Sequence, residues 1–297
     1  MKEYNLIIIG GGAAGILCAI EANKQGIDDI LLIEKDPVLG GALNLGDYNI
    51  SRENYINGKE YKKALMKTFD ECKVNVKLNA MVLKIEENNE VICTSSEYGI
   101  EKIKGKNIIL ANGQKEGSRK AISMVGDRCS GILTVGMAKK IFNMDNIIPG
   151  KNILIDGEET LYMIQKQLKD KNINVVGIIC ESDNIKTYEL TDKIYKDYKI
   201  AAIHGEGRIT SVTLEKDGNE EIVQCDTLIF ARPMLSDGLV AMRSNIKLNP
   251  TTTGPEVDDK FMTSRKNIYA CGNGIYIHKF IEDIEDECKK LIKGIKN

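Results

Sequence analysis

Tryptophan is absent from the 297 residues, histidine occurs twice, and no two of the eight cysteines are spaced C-x-x-C. The missing dithiol spacing excludes electron transfer through a vicinal redox disulfide. No cysteine or histidine spacing matches a metal-ligand pattern, so no metal is expected. Neither sign of charge is in excess. The formal net charge is −2, so no global field draws the chain to nucleic acid or to an anionic membrane. No apolar run approaches the roughly 20 residues of a membrane span. The N-terminus lacks the basic n-region and small-residue cleavage site of a secretory signal, so a cytoplasmic location with reduced, mostly buried thiols is expected. The lack of tryptophan excludes no class of function.

What is present is the composition of a globular protein, 42% hydrophobic and 28% charged, long enough for two domains. One pattern is used twice. Asn5 to Ile9 is an apolar run of the kind buried on both faces of a parallel sheet. Gly10-Gly11-Gly12-Ala13-Ala14-Gly15 follows, then a helix-period stretch closed by Gly26, then a second buried strand, Ile30 to Ile33, ending on Glu34. Asn75 to Ile85, Glu90 to Ser95 and Ile100 to Lys104 read as a small antiparallel meander, and Asn107 to Ala111 as a further buried strand ending on Asn112-Gly113. From Pro149 the order repeats: strand Asn152 to Ile155, helix Thr160 to Leu168, strand Val175 to Cys180 ending on Glu181. A hairpin about Asp217-Gly218 and a closing strand, Thr227 to Ala231, complete the second unit. Strand Asn267 to Cys271, Gly272-Asn273-Gly274 and an amphipathic helix, Phe280 to Ile292, end the chain. The predicted fold class is α/β, with two Rossmann-like three-layer domains, the second inserted into the first. The expected domains are residues 1–115, 116–232 and 233–297, the first and last belonging together, with boundaries near Gln114 to Arg119 and Arg232 to Asp237.

The chemistry is concentrated in the first repeat. In G-x-G-x-x-G, Gly10 makes the turn out of the strand, Gly12 lets backbone approach a pyrophosphate, and Gly15 lets the helix pack against the sheet. The N–H groups of the helix start and its dipole then face phosphate. Glu34 stands at the distance from which a carboxylate accepts ribose hydroxyls. These features predict a bound dinucleotide. Two others favour FAD over NAD: a second glycine pair, Gly40-Gly41, opening the run Gly41-Ala42-Leu43, and a second strand end, Ala270-Cys271-Gly272-Asn273, ahead of a helix. Asn273 is placed there to bond ribityl or pyrophosphate oxygens.

Gly254-x-x-Val257-Asp258, Met262-Thr263-Ser264 and Ile268 to Asn273, with the N-terminal fingerprint and Ala111-Asn112-Gly113, resemble the pyridine nucleotide–disulfide oxidoreductase superfamily. The likeness is to its two-domain, thioredoxin-reductase-like branch, along nearly the whole chain. Asn79 to Leu83, Gly126 to Gly136, and Asn273 in place of the usual aspartate resemble more narrowly the FAD/NAD(P)-binding subunits that accompany anaerobic glycerol-3-phosphate, opine and cyanide-forming amino-acid dehydrogenases. The resemblance implies an FAD site built from Gly10, Gly12, Ala13, Ala14, Gly15, Glu34, Lys35, Gly41, Ala42, Leu43, Val82, Ala111, Asn112, Gly113, Gly272 and Asn273, with the Val82 backbone on adenine.

Where that family repeats the glycine fingerprint for NAD(P)H, this chain has Asp156-Gly157-Glu158-Glu159-Thr160-Leu161. In that register no fingerprint glycine is kept, Asp156 and Glu158 oppose a pyrophosphate, and Leu161 wedges the helix from the strand. NAD(P)H binding is therefore expected to be lost or gravely weakened, with Glu181 a solvated strand-end carboxylate. No catalytic acid or base is identified. His278 has no evident acidic partner, His204 reads as a strand-end residue, and Cys129 as a lone thiol. Three readings remain open. One is an FAD-dependent flavoprotein subunit working with a partner dehydrogenase or electron carrier, in which the chain could also form a homodimer. The second is a self-sufficient NAD(P)H-dependent flavoenzyme, and the third a non-catalytic FAD-binding protein.

Overall fold

The first buried strand, β1 (Glu3–Ile9), opens a parallel sheet, and its alternation divides two cores. Leu6 and Ile8 join the core on one face of the sheet. Ile7 and Ile9 join the core on the other face. The computed structural model describes residues 3–117, 125–144, 147–181 and 189–296. Arg119, at one expected boundary, lies outside them. The chain divides into two compact units, one formed by Met1–Lys115 and Leu235–Asn297, the other by Glu116–Met234.

In the first unit, helix α1 (Ala13–Lys24) leaves β1 and stops at Gly26. The stop is a Schellman motif: Gly26, at φ +79°, donates to the Asn23 carbonyl and Ile27 to that of Ala22. Strand β2 (Ile30–Ile33) pairs parallel with β1. Next comes helix α2 (Gly58–Phe69), which the sequence reading did not anticipate. Its signal is a capping box: the Asn57 side chain accepts from the Glu60 amide at 2.9 Å, and Glu60 reaches back to the Asn57 amide. Its buried face is Leu65 and Phe69, one turn apart.

The expected strand Asn75 to Ile85 is in fact two. Strand β3 (Val74–Lys77) extends the parallel sheet beyond β2, and β4 (Ala80–Ile85) starts the antiparallel meander. Asn79 turns the chain between them at φ +52°, a conformation asparagine tolerates better than most side chains. Conversely, the two strands expected at Ile100 to Lys104 and Asn107 to Ala111 are one, β6 (Gly99–Leu110). Its first half pairs antiparallel with β5 (Glu90–Ser95), and its second half pairs parallel with β1. Helix α3 (Ile281–Lys296) packs beside α1 on one face of this sheet. The three-residue strand Ile268–Ala270 completes the sheet against β6.

In the second unit, four parallel pairings join Ile194–Lys196, Asn174–Cys180, Asn152–Asp156, Thr227–Phe230 and Ile132–Thr134, in that spatial order. An antiparallel three-stranded sheet, Lys199–His204, Ser211–Lys216 and Asn219–Gln224, turns at Asp217-Gly218, both with positive φ. The helix expected from Thr160 to Leu168 is a 3-10 turn, Leu161–Met163, followed by a short helix, Gln165–Asp170. The α/β class with two Rossmann-like units is the one the sequence predicts. No helix among the described residues is long and apolar enough to cross a membrane.

Candidate cofactor site

The site in the first unit grows from the crossing of β1 into α1. The Gly10 amide donates to Ile33 O at 2.9 Å, and the Ala111 amide to Ile9 O at 2.8 Å, which pins three strand ends side by side. Gly10 has φ +108°, and a Cβ there would overlap the Ala111 carbonyl. A Cβ on Gly15 would overlap the Gly10 carbonyl, whereas at Gly12 it would meet nothing within 4 Å. Gly10 and Gly15 are thus demanded by the fold, while Gly12 opens onto free space. The amides of Gly12, Ala13 and Ala14 have no acceptor among the described residues. They are orphan donors of a helix start, gathered at its positive end.

Glu34 lies 5% exposed beneath the turn. Its Oε2 accepts from the Gly11 amide at 2.6 Å and its Oε1 from the Asp36 amide at 2.8 Å. Each carboxylate oxygen keeps a second lone pair for a hydroxyl donor. The Gly40 amide donates to Gly11 O at 2.7 Å, which draws the second glycine pair against the first. A Cβ on Gly41 would stand 3.1 Å from Gly12 Cα, so Gly41 borders the same opening and Leu43 is buried below it. Lys35 and Ala42 are exposed. Val82 is buried on β4 two residues beyond Ala80, whose amide donates to Glu34 O, and so lies toward the acid rather than the glycines.

The distant segments converge on the same turn. A Cβ on Gly272 would meet the Ala14 methyl, and one on Gly274 would lie 3.6 Å from the Asn112 amide. Gly113 takes φ +74° with open space around it. Asn273 is held at both ends: its Nδ2 donates to Gln114 Oε1 at 2.8 Å, and its Oδ1 accepts from the His278 amide at 2.9 Å. The sequence reading leaves His278 without an acid. The structure supplies Glu287, whose Oε2 stands 2.9 Å from His278 Nε2, an ion-pair contact rather than an aligned hydrogen bond. The other Glu287 oxygen accepts from the Gly272 amide. Glu287 lies on α3, one helical turn beyond Asp283, and nothing in linear spacing ties it to His278. Tyr276 meets the His278 ring edge-on at 5.5 Å.

In the second unit the register differs from expectation. The Gly157 amide donates to Ile179 O and the Ala231 amide to Asp156 O, the same pattern as Gly10 and Ala111 in the first unit. Gly157 also has φ +95° and would place a Cβ 2.9 Å from Ala231 O. The first fingerprint glycine is therefore kept at Gly157, while Glu159 and Tyr162 take the places of the second and third. Asp156 belongs to the strand, not to the turn. It is 1% exposed and bound by Arg232 through Nε at 3.0 Å and Nη2 at 2.8 Å, so its charge is compensated rather than presented to a ligand. Burial raises its pKa above the ordinary carboxylate value, against the pull of Arg232. Cys180 follows Ile179 as Glu34 follows Ile33, and Glu181, one residue further, is exposed. The turn spends its own donors: Thr160 N–H bonds Ala231 O, Leu161 bonds Glu158 O, and Glu158 bonds the Glu159 carboxylate.

Residues 5–95 match the model of the FAD dependent oxidoreductase family. Dihydrolipoyl dehydrogenase of Manduca sexta is 25% identical over 99% of this chain and 68% of its own length. One of the subunits of opine oxidase from Rhizobium meliloti is 20% identical over 91% of this chain, which spans 58% of that relative. Thioredoxin reductase of T. acidophilum superposes with a TM-score of 0.78 at 17% identity, covering 99% of this chain and 98% of that one, a likeness of fold. Over residues 5–95 the chain is thus similar to the FAD-dependent oxidoreductases, and along nearly its whole length it shares the two-domain fold of thioredoxin reductase.

Proposed function

We propose that this chain holds FAD non-covalently in its first unit and passes electrons between a substrate or partner dehydrogenase and an acceptor, without direct use of NAD(P)H. The observation that carries the reading is the contrast between Ala13 and Ala14, whose amides have no acceptor among the described residues, and their counterparts Thr160 and Leu161, whose amides are already bonded to Ala231 and Glu158. Bound FAD supplies hydride and electron transfer at its ring system. The chain's part is binding and orientation. Gly12 to Ala14 offer N–H groups to a pyrophosphate, and Glu34 offers its free lone pairs to ribose hydroxyls. Gly41, Leu43, Ala111 to Gly113, Gly272 and Asn273 border the same opening. Lys35, Ala42 and Val82 are proposed for its adenosine end. The His278–Glu287 pair, tied to the Gly272 amide, is the group beside this loop able to hold a proton at Nε2. A partner protein is supported by the opine oxidase relative, which is itself one of that enzyme's subunits.

The test is the visible spectrum of the purified protein, followed by NADH added without oxygen. Flavin bands that persist with NADH and bleach with a partner or substrate are the expected result. Immediate bleaching by NADH supports a self-sufficient reductase instead, and a protein that cannot be loaded with FAD overturns the reading.

A further inference from the structure

Beneath the glycine turn, three cysteines far apart in sequence meet in the core. Cys18 comes from α1, Cys271 from the residue after the last strand and Cys288 from α3, and their sulfurs all lie within 4.8 Å of one another. Cys18 Sγ is 3.6 Å from Cys271 Sγ, and Cys288 donates to Ala14 O at 3.5 Å. All three are buried, none more than 1% exposed. No linear motif announces them, since none belongs to a C-x-x-C pair and Cys18 is 253 residues from Cys271.

We propose that Cys18, Cys271 and Cys288 form a three-sulfur site for a monovalent thiophilic cation of the copper(I) class. Metal–sulfur bonds of about 2.3 Å in a trigonal plane set the sulfurs about 4 Å apart, within the spread observed. Sulfur-only donors select soft ions. Zinc in a closed structural site takes four ligands, and among the described residues no further cysteine, histidine or carboxylate joins the three. Glu287 is engaged by the Gly272 amide and His278, and the Ala14 carbonyl accepts the Cys288 thiol. Coordination exchanges no electrons. Each thiol that binds as thiolate releases its proton to solvent. The inference does not depend on the electron donor or acceptor of the flavoprotein.

The test uses the full-length purified protein under reducing, oxygen-free conditions, titrated with copper(I) buffered by bicinchoninate. One ion per chain is expected, with X-ray absorption of the wild type showing three sulfur neighbours and no nitrogen or oxygen. Cys18→Ser and Cys288→Ser should each weaken retention at least tenfold, while Cys72→Ser, outside the cluster, should leave it unchanged. Flavin content and circular dichroism of each variant distinguish lost binding from lost folding. Fewer than three sulfurs around the ion, unchanged retention in a folded Cys288→Ser protein, or preference for zinc(II) overturns the proposal.

Discussion

The two strand-to-helix turns begin alike and end differently. Gly10 and Gly157 carry the same positive φ and the same bond to the neighbouring strand, and each would drive a Cβ into a carbonyl oxygen of the adjacent strand end, Ala111 or Ala231. That glycine is required by the sheet whether or not anything binds. Beyond it the turns diverge. In the first, Gly12 leaves open space and Gly15 lets α1 start at once. In the second, Glu159 and Tyr162 stand in those places, and a 3-10 turn delays the helix to Gln165. The comparison separates Gly10, Gly15 and Gly157, which close packing demands, from Gly12, whose open side the fold does not use.

The largest expected effect is at Gly15, which has no room for a side chain. Gly15→Ala should push α1 off β1 and lower flavin retained after gel filtration by about tenfold or more, since overpacking against backbone costs roughly 1–3 kcal/mol. Retention at the wild-type level would show that the close approach is not needed. In the second unit Arg232→Met leaves Asp156 buried without its partner. A loss of about 2 kcal/mol by urea unfolding is expected, below the roughly 3–5 of a fully buried pair because Arg232 is half-exposed. Without Arg232, burial leaves the folded-state pKa of Asp156 raised over its unfolded value. The folded protein then holds a proton that the unfolded chain gives up, so the deficit should grow as pH rises above the unfolded aspartate value of about 3.9 and shrink in acid.

Glu34→Gln puts an amide where two backbone N–H groups need acceptors. The expected cost is about 1.5–2 kcal/mol of FAD affinity, read by flavin fluorescence titration. An unchanged affinity would mean that the acid only shapes the turn. The smallest effect is expected for Glu159→Gly. Removing one carboxylate relieves about 1 kcal/mol of repulsion with a phosphate, but Thr160 and Leu161 amides stay bonded to Ala231 and Glu158. NADH binding by calorimetry should tighten by less than about tenfold, and a larger gain would show the second turn to be one residue from function.

Much of this was legible in sequence because it is local. The buried run, the glycines, the helix stop at Gly26 and the acid after β2 follow each other within one β-α-β unit, and each has a stereochemical cause. The same reading misplaced the second turn by one residue, taking Asp156 for a turn residue. Which residue leaves the sheet is decided by its pairing with Ile179 and Ala231, far along the chain. Helix α2 was readable from Asn57 and Glu60 but passed unnoticed among charged residues, and Asn79 splits a strand that otherwise alternates without a break.

The sequence alone determined the α/β class and the strand-turn-helix with its glycines, because backbone sterics and periodicity act over a few residues. Tertiary structure decided the rest: the amides that claim Glu34, the Arg232 that neutralises Asp156, the Glu287 that meets His278, and the three cysteines brought together under the turn. In the first unit, packing of α1, α3 and the last strand on one sheet brings His278, Glu287 and the cysteines within reach, and in the second the pairing of two strands sets Arg232 beside Asp156.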